Sequence, residues 1–353
     1  YQWQQQWADW STRRLPAVIL DRTAPPPCFK GVAISSYTRA TTQHLDALRA
    51  RPYWDVVIAD EAHFAKNPEA LRTHAVYGKG SIGWNAHRIW ALTGTPAPNH
   101  VGELWPMLRA FGLVKCDYLT FVQHYCYYDW KTQSVWGNRP ERIEEIRALI
   151  APLTLRRTLR EVAPHLPPIA YDLLAVDPHQ AVDLKTDVPE AVDTDDRIAV
   201  AMAKAPQLAE EIIGCLAGGL YSQTVVFGYH LDPLRELGRL LTLAGIDASI
   251  LSGETPPTRK QKLQDGFRMG LWPTVLLAQI IAAGTAIDLS AASHGYFLEL
   301  DYVPDNNAQA AHRLVSIQDP NPVSFDVVTW PGTRDDKVQR TLLRKVRGAA
   351  FTT

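Results

Sequence analysis

Hydrophobic positions fall into a regular alternation in the second half of the chain. Short runs of apolar β-formers, Thr224–Gly228, Ala248–Leu251, Thr274–Ala278, Tyr296–Leu300 and Phe325–Val328, are separated by longer amphipathic stretches around 232–244, 256–268, 306–315 and 334–346. Strands alternating with helices of that length predict βαβ units and a parallel sheet. The first half carries the same signal in shorter pieces. Ala17–Leu20, Val32–Tyr37, Asp55–Asp60 and Arg88–Leu92 are strand-like, and Pro25-Pro-Pro27 marks a turn between the first two. Trp3, Trp7 and Trp10 stand at i, i+4 and i+7, one face of a helix, a spacing that predicts a core stripe more often than a base-stacking platform.

Between these halves the pattern changes. From Cys116 to about Leu166 it is helical and aromatic, with Phe121, Tyr125, Tyr127, Tyr128 and Trp130 followed by the amphipathic Glu141–Leu149 stretch. Residues 177–196 hold seven acids and two prolines without a core pattern, which predicts an exposed joining segment.

Composition narrows the class. The 353 residues are 46% hydrophobic and 21% charged, an ordinary globular balance with room for two domains. The formal charge of −1 gives no support to nucleic-acid binding, although a local basic groove is compatible with it. Cys28, Cys116, Cys126 and Cys215 lack CxxC spacing, which predicts reduced core residues rather than a zinc site or disulfide scaffold. No apolar run approaches the roughly 18 residues of a membrane span.

The candidate chemistry sits where Asp55-Val-Val-Ile-Ala-Asp-Glu-Ala-His63 ends in two acids. A buried central strand is expected there, with Asp60 and Glu61 at its carboxyl end, where open α/β sheets bind ligands. Asp60 could hold Mg²⁺ through water and Glu61 could polarise an attacking water, the Walker-B division of labour. Two solvated acids at a strand end is the plain alternative. Leu92-Thr-Gly-Thr-Pro-Ala-Pro-Asn99, after a second strand, favours the chemical reading.

These stretches together resemble a superfamily-two helicase core, of the sucrose-nonfermenting branch that contains chromatin remodellers and annealing helicases. Asp60-Glu-Ala-His63 matches motif II and Thr93-Gly-Thr-Pro96 motif III, and Ala97-Pro-Asn99 with Glu103-Leu-Trp-Pro-Met-Leu108 is closest to the annealing-helicase-like members. The resemblance implies an α/β chain with two RecA-like lobes, parallel sheets and a helical insertion on the first lobe. The expected divisions are 1–114 for the first lobe, 115–165 for the insertion, 166–205 for a linker and 206–353 for the second lobe. The phosphate-cradling GxxxxGK[ST] of motif I is missing, so the first lobe is expected to be incomplete at its N-terminus. Gly78-Lys-Gly-Ser81 reads as a surface loop.

Site residues follow from the matched positions. Asp60, Glu61 and His63 would form the catalytic motif, joined by Gln309 and Arg313 of motif VI, and Gly284 and Asp288 of motif V would bind nucleotide. Candidate DNA contacts are Ser36, Tyr37, Thr95, Asn99, Arg156, Arg157, Ser252 and Gly253. Lys66-Asn67 would order the loop leaving the active site. Two positions depart from the family pattern: Ala286 replaces a glycine of motif V, and Ser316 replaces the second arginine of motif VI. An arginine finger is worth roughly 10³–10⁵ in rate. Arg313 alone would carry that role, or Arg259 or Arg268 would assist.

The implied function is an intracellular, monomeric, ATP- and Mg²⁺-dependent motor acting on double-stranded or branched DNA, with ATP hydrolysed between the lobes and no membrane partner. Activity is expected to be impaired or absent in a chain without motif I and with motif VI altered. A non-catalytic DNA-binding scaffold of the same fold is the alternative, and a DEAH-type RNA helicase a third reading that the LTGTPAPN and ELW stretches disfavour.

Overall fold

The computed structural model describes residues 2–26, 28–177, 193–283, 287–316 and 320–349. The chain divides into two compact units, Tyr1–Leu155 with Gly348–Thr353, and Arg156–Arg347. The acidic segment expected to join two lobes lies largely outside the described residues, as do Gly284, Ala286 and Gln318.

The first unit begins with helix α1 (Gln2–Trp10), strands β1 (Ala17–Ile19) and β2 (Val32–Ile34), and helices α2 (Tyr37–Thr42) and α3 (Leu45–Arg49). Strand β3 (Val57–Ala59), helix α4 (Leu71–Tyr77) and strand β4 (Ile89–Ala91) follow. β1 pairs with β2 and β3 with β4, each in parallel, with Ile58 opposite Trp90. Ala59, Ala62, Ala65, Val76 and Tyr77 form a small core beneath β3 and β4. The strand ending at Asp60 is therefore covered on one face only. Ile58 and Trp90 remain 43% and 52% exposed, because among the described residues β4 is the one ladder partner of β3. The tryptophan stripe of α1 is likewise not core: Trp3 and Trp10 are exposed.

Further along are helices α5 (Trp105–Ala110) and α6 (Tyr118–Tyr125), strands β5 (Cys126–Asp129) and β6 (Ser134–Asn138), and helix α7 (Ile143–Ile150). Asp117 caps α6 by accepting the N–H of Thr120 at 2.9 Å. Val101, Leu104, Leu108, Phe121, Val122, Cys126, Ile143 and Ile146 bury one another in a second core. The stretch expected to be helical is interrupted by an antiparallel hairpin, β5–β6, with a bulge between Tyr127 and Tyr128. The physical cause is local. Asp129 turns the chain by accepting the N–H of Lys131 at 2.8 Å, and Tyr127, Tyr128, Val135 and Trp136 favour extended backbone.

The second unit holds a short helix α8 (Leu159–Val162), edge strand β7 (Ala170–Ala175), the long helix α9 (Asp193–Ala217) and strand β8 (Thr224–Gly228). There follow α10 (Leu231–Leu243), β9 (Ala248–Leu251), α11 (Pro257–Arg268), β10 (Val275–Gln279) and α12 (Ile280–Ala283). β11 (His294–Phe297), α13 (Pro304–Ala311), β12 (Ser324–Thr329) and α14 (Arg334–Ala349) complete it. The six strands form one parallel sheet in the order β7-β12-β11-β8-β10-β9. The α/β class read from the alternation is the observed one.

Both faces of this sheet are covered. Val225, Phe227, Leu276, Ala278, Phe297 and Phe325 pack on one side. Val226, Leu277, Tyr296 and Leu298 pack on the other against Leu208, Ile212, Leu234 and Leu237 of α9 and α10. Near-continuous apolar strands are what a doubly covered parallel sheet requires. Residues 170–175 and 193–205, read from sequence as a joining segment, belong to this unit. β7 extends the sheet beside β12, and Lys204 of α9, 1% exposed, donates to the carbonyls of Leu298 (2.6 Å) and Val328 (2.9 Å) and to Asp335 (2.9 Å). The strand expected at 296–300 begins two residues earlier. Glu299 lies beyond it, where its carboxylate accepts the N–H groups of Tyr229 and His230.

Candidate nucleotide site

β3 ends at Ala59, and its carboxyl end presents the two acids. The chain turns sharply there: Glu61 has φ +48°, a left-handed conformation that a non-glycine residue adopts at a cost. The turn is held by the N–H of Ala62 donating to Leu92 O (2.8 Å) and that of Leu92 to Ala59 O (2.9 Å), so β4 fixes the end of β3. Asp60 Oδ1 accepts the N–H of Glu61 at 3.0 Å. The hydroxyl of Tyr37, the first residue of α2, donates to Asp60 O at 2.9 Å. Burial, with the charges of Tyr77, Asp60 and Glu61 adding to it, raises the Tyr37 hydroxyl well above its ordinary pKa and keeps it a donor. Burial pushes Tyr77 up to about 12.

His63 connects the acids to the next strand. Its Nδ1 is 3.0 Å from Thr93 Oγ1 and 3.3 Å from Glu61 Oε2. Thr93 Oγ1 also accepts the N–H of Thr95 at 3.2 Å, which closes the Thr93-Gly94-Thr95 turn. Asp60, Glu61, His63 and Thr93 thus cluster at adjacent strand ends, with His63 hydrogen-bonded to Thr93 and within ion-pair distance of Glu61.

A second polar group lies farther along the chain. Glu103 accepts from Lys66 Nζ (2.8 Å), Asn99 Nδ2 (2.7 Å) and Asn99 N (3.0 Å). Burial raises its carboxyl, and these hydrogen bonds with the Lys66 charge more than offset that, holding it below the ordinary carboxylate range. Lys66 therefore ties the loop after the motif to the segment before α5. Asn99, a candidate DNA contact, is engaged by Glu103, and Ser36 serves as the N-cap of α2, accepting from Arg39 N at 3.3 Å.

Arg156 and Arg157 are exposed at the start of the second unit, where Arg157 donates to Arg156 O. Gln309 is half-buried on α13, and Arg313 is half-buried in the 3₁₀ turn His312–Leu314, its carbonyl accepting the N–H of Leu289 at 2.9 Å. Asp288 is exposed and accepts the N–H of Ser290. The N–H groups of Ser252 and Gly253 are already used, the first by Thr255 Oγ1 of its own turn (2.9 Å) and the second by Gln279 Oε1 at the end of β10 (3.4 Å).

Sequence reasoning missed two participants. Trp3 Nε1 donates to Asp60 Oδ2 at 2.8 Å across 57 residues of chain, a long-range contact that helical spacing cannot reveal. Lys260 of α11 was also not named; its Nζ donates to Ala282 O at 3.3 Å. Burial, then the Arg313 charge, lowers its pKa. Arg259 and Arg268, the neighbours named from sequence, are exposed on the same helix.

Two acids at a strand end, joined through a histidine to a Thr-Gly-Thr turn on the adjacent parallel strand, form the arrangement that superfamily-two helicase cores carry. Residues 2–182, just over half of the chain, match the family model described as the SNF2-related domain, and the chain belongs to that family. The mouse "DNA annealing helicase and endonuclease ZRANB3" is 26% identical over 349 residues, covering 91% of this chain and 32% of that protein. The Drosophila melanogaster "SWI/SNF-related matrix-associated actin-dependent regulator of chromatin subfamily A-like protein 1" is 25% identical over 334 residues, covering 89% of this chain and 43% of that protein. The "Zorya protein ZorD" of Escherichia coli O139:H28 is 38% identical over 143 residues, 40% of this chain and 12% of that protein. The chain spans roughly a third to two fifths of the mouse and fly relatives.

Proposed function

We propose that the chain is the ATP-hydrolysing core of a DNA-dependent motor of the annealing-helicase and remodeller type, acting on double-stranded or branched DNA inside the cell as a monomer. The observation that carries this reading is the Asp60–Glu61–His63–Thr93 constellation in a chain of the SNF2-related family. The DNA annealing and chromatin functions in the names of the mouse and fly relatives support DNA as the partner.

Glu61 polarises the attacking water, and His63 holds the Glu61 carboxylate against Thr93. Asp60 suits Mg²⁺, which keeps most of its waters and takes one or two carboxylates beside nucleotide phosphates. Mg²⁺ held there through Asp60 would supply positive charge against the charge that develops on the transferred phosphoryl group. The motif resemblance supports a part in the same reaction for Gln309 and Arg313, and nucleotide binding by Gly284 and Asp288. Ser36, Tyr37, Thr95, Asn99, Arg156, Arg157, Ser252 and Gly253 contact DNA mainly at phosphates, so binding is sequence-independent and weakens with salt.

One observation favours the second reading, a non-catalytic DNA-binding scaffold. Ser316 cannot supply the guanidinium of the family's second motif VI arginine, and that loss alone lowers turnover. DNA-stimulated ATP hydrolysis separates the readings. The motor hydrolyses ATP faster with duplex DNA, and Ser316→Arg raises the rate. DNA binding with no hydrolysis in either form assigns the chain to the scaffold class.

A further inference from the structure

The β5–β6 hairpin carries aromatic surface that neither core uses. Trp136 is 70% exposed and Trp130 67% exposed. The Trp136 ring stacks on Tyr127 with centroids 4.6 Å apart and planes 14° apart. The Arg139 guanidinium lies 5.4 Å from the Tyr127 centroid, and Trp130 meets Tyr128 edge to face at 5.3 Å. The bulge between Tyr127 and Tyr128 falls opposite Trp136, at the place where a bulge re-aims side chains.

The base of the hairpin is rigid. Cys126 is fully buried among Phe121 and Val122, and Tyr128 and Val135 pack against the same core. Asn138 accepts the N–H of Val101 at 2.8 Å, and Arg139 donates to Cys126 O at 3.0 Å. A two-stranded hairpin alone is marginal. This one is pinned at its root and holds its aromatic faces in place.

The chemistry selects the occupant. The tip, Lys131–Ser134, is exposed and polar, so the tryptophans are separate planar faces rather than the contiguous apolar patch that a protein interface core needs. Planar faces beside Lys131 and Arg139 suit a base with its phosphate: every base has a π-face to stack, and the cations complement the backbone. Paired bases inside a duplex do not offer that face.

We infer that the Trp136–Tyr127 stack, with the Arg139 guanidinium over Tyr127, binds unpaired nucleobases of single-stranded DNA, and that exposed Trp130, next to Lys131 in the chain, offers a lesser contact of the same kind. The inference rests on the DNA reading above and gives the chain a second, single-strand contact apart from its nucleotide site. At a branched substrate, an exposed strand is held on the hairpin.

The test is binding of the whole chain to a fluorescent thymidine oligonucleotide and, separately, to a duplex of equal length. Trp136→Ala should weaken oligonucleotide binding about tenfold, the effect of losing one stacked base, and leave duplex binding unchanged. Trp136→Phe should retain most of the affinity, and Trp130→Ala should give a smaller loss of the same kind. Equal oligonucleotide affinity in wild type, Trp136→Ala and Trp130→Ala overturns the inference, as does an equal loss on oligonucleotide and duplex. Duplex binding without hairpin dependence leaves the motor reading standing, whereas absence of binding to either DNA overturns both.

Discussion

The two units of this chain are built from the same α/β grammar and differ in how completely they use it. In the second, six parallel strands are joined in one sheet and covered on both faces, with β8 buried along its whole length. In the first, three-residue strands pair two by two, and the face carrying Ile58 and Trp90 stands in water. A sheet closed on both sides is held by burial, at about 25 cal/mol per Å² of apolar surface. The strand end that bears Asp60 and Glu61 depends instead on a few long-range polar contacts: Trp3 to Asp60, Tyr37 to Asp60, and His63 to Thr93. The rigid unit is the scaffold, and the sparsely held one carries the acids.

That contrast is most exposed to failure at Lys204. Replacing it by alanine takes the donor from the Leu298 and Val328 carbonyls and the cation from Asp335, which keeps the Trp330 N–H, at an expected cost of about 3–5 kcal/mol. Ile58→Ser in the first unit, already 43% exposed, is expected to cost less than about 1 kcal/mol. Urea unfolding of the two variants measures both, and similar losses would mean that the two sheets are held alike.

Glycines give a finer comparison. A Cβ at Gly295 would stand 2.5 Å from the Phe325 ring and 3.1 Å from Val225 O, so Gly295→Ala should cost about 1–3 kcal/mol. At Gly94, in the Thr-Gly-Thr turn, a Cβ meets nothing within 4 Å. Gly94→Ala is expected to leave the melting temperature nearly unchanged.

Acid should separate the units by sign. Glu103 in the first unit is held below its ordinary value, so the stability it contributes is present above pH 4.5 and is lost as pH falls through its folded pKa. Burial raises Asp326 in the second unit despite the opposing His294 charge, so its folded form prefers the proton and gains as pH falls. His100 in one unit and His294 in the other, both lowered by burial, weaken the two together on acidification. Hydrogen exchange resolved by unit as pH falls from about 5 to about 3 should show the first unit losing protection faster, and Glu103→Gln should narrow the gap. An unchanged gap in that variant would remove Glu103 from the explanation.

The second unit was legible because its signals are local. Runs such as Thr224–Gly228 and helices such as Leu231–Leu243 are long enough for periodicity to place them within a residue or two. Strand β11 was displaced because Gly295 interrupts the apolar run and Glu299, read as part of the strand, serves as a buried acceptor past it. The first unit was harder because three-residue strands carry little periodic signal, and the aromatic run from Phe121 to Trp130 reads as helix although β5 begins at Cys126. At the site, Asp60, Glu61, His63 and Thr93 were found because motif and geometry coincide within a short span. Trp3 and Lys260 were not, because their partners are set by tertiary folding.

The most direct measurement of the central claim is the rate of DNA-stimulated ATP hydrolysis in the wild-type chain and in Glu61→Gln, with nucleotide and duplex binding followed in parallel. The wild-type chain is expected to turn over slowly, as its altered motif VI implies, and the variant to lose at least about a hundredfold in rate while both ligands still bind, since a positioned proton acceptor contributes about 10²–10⁴. Equal turnover in the two proteins would contradict the assignment of Asp60 and Glu61 as the hydrolytic site.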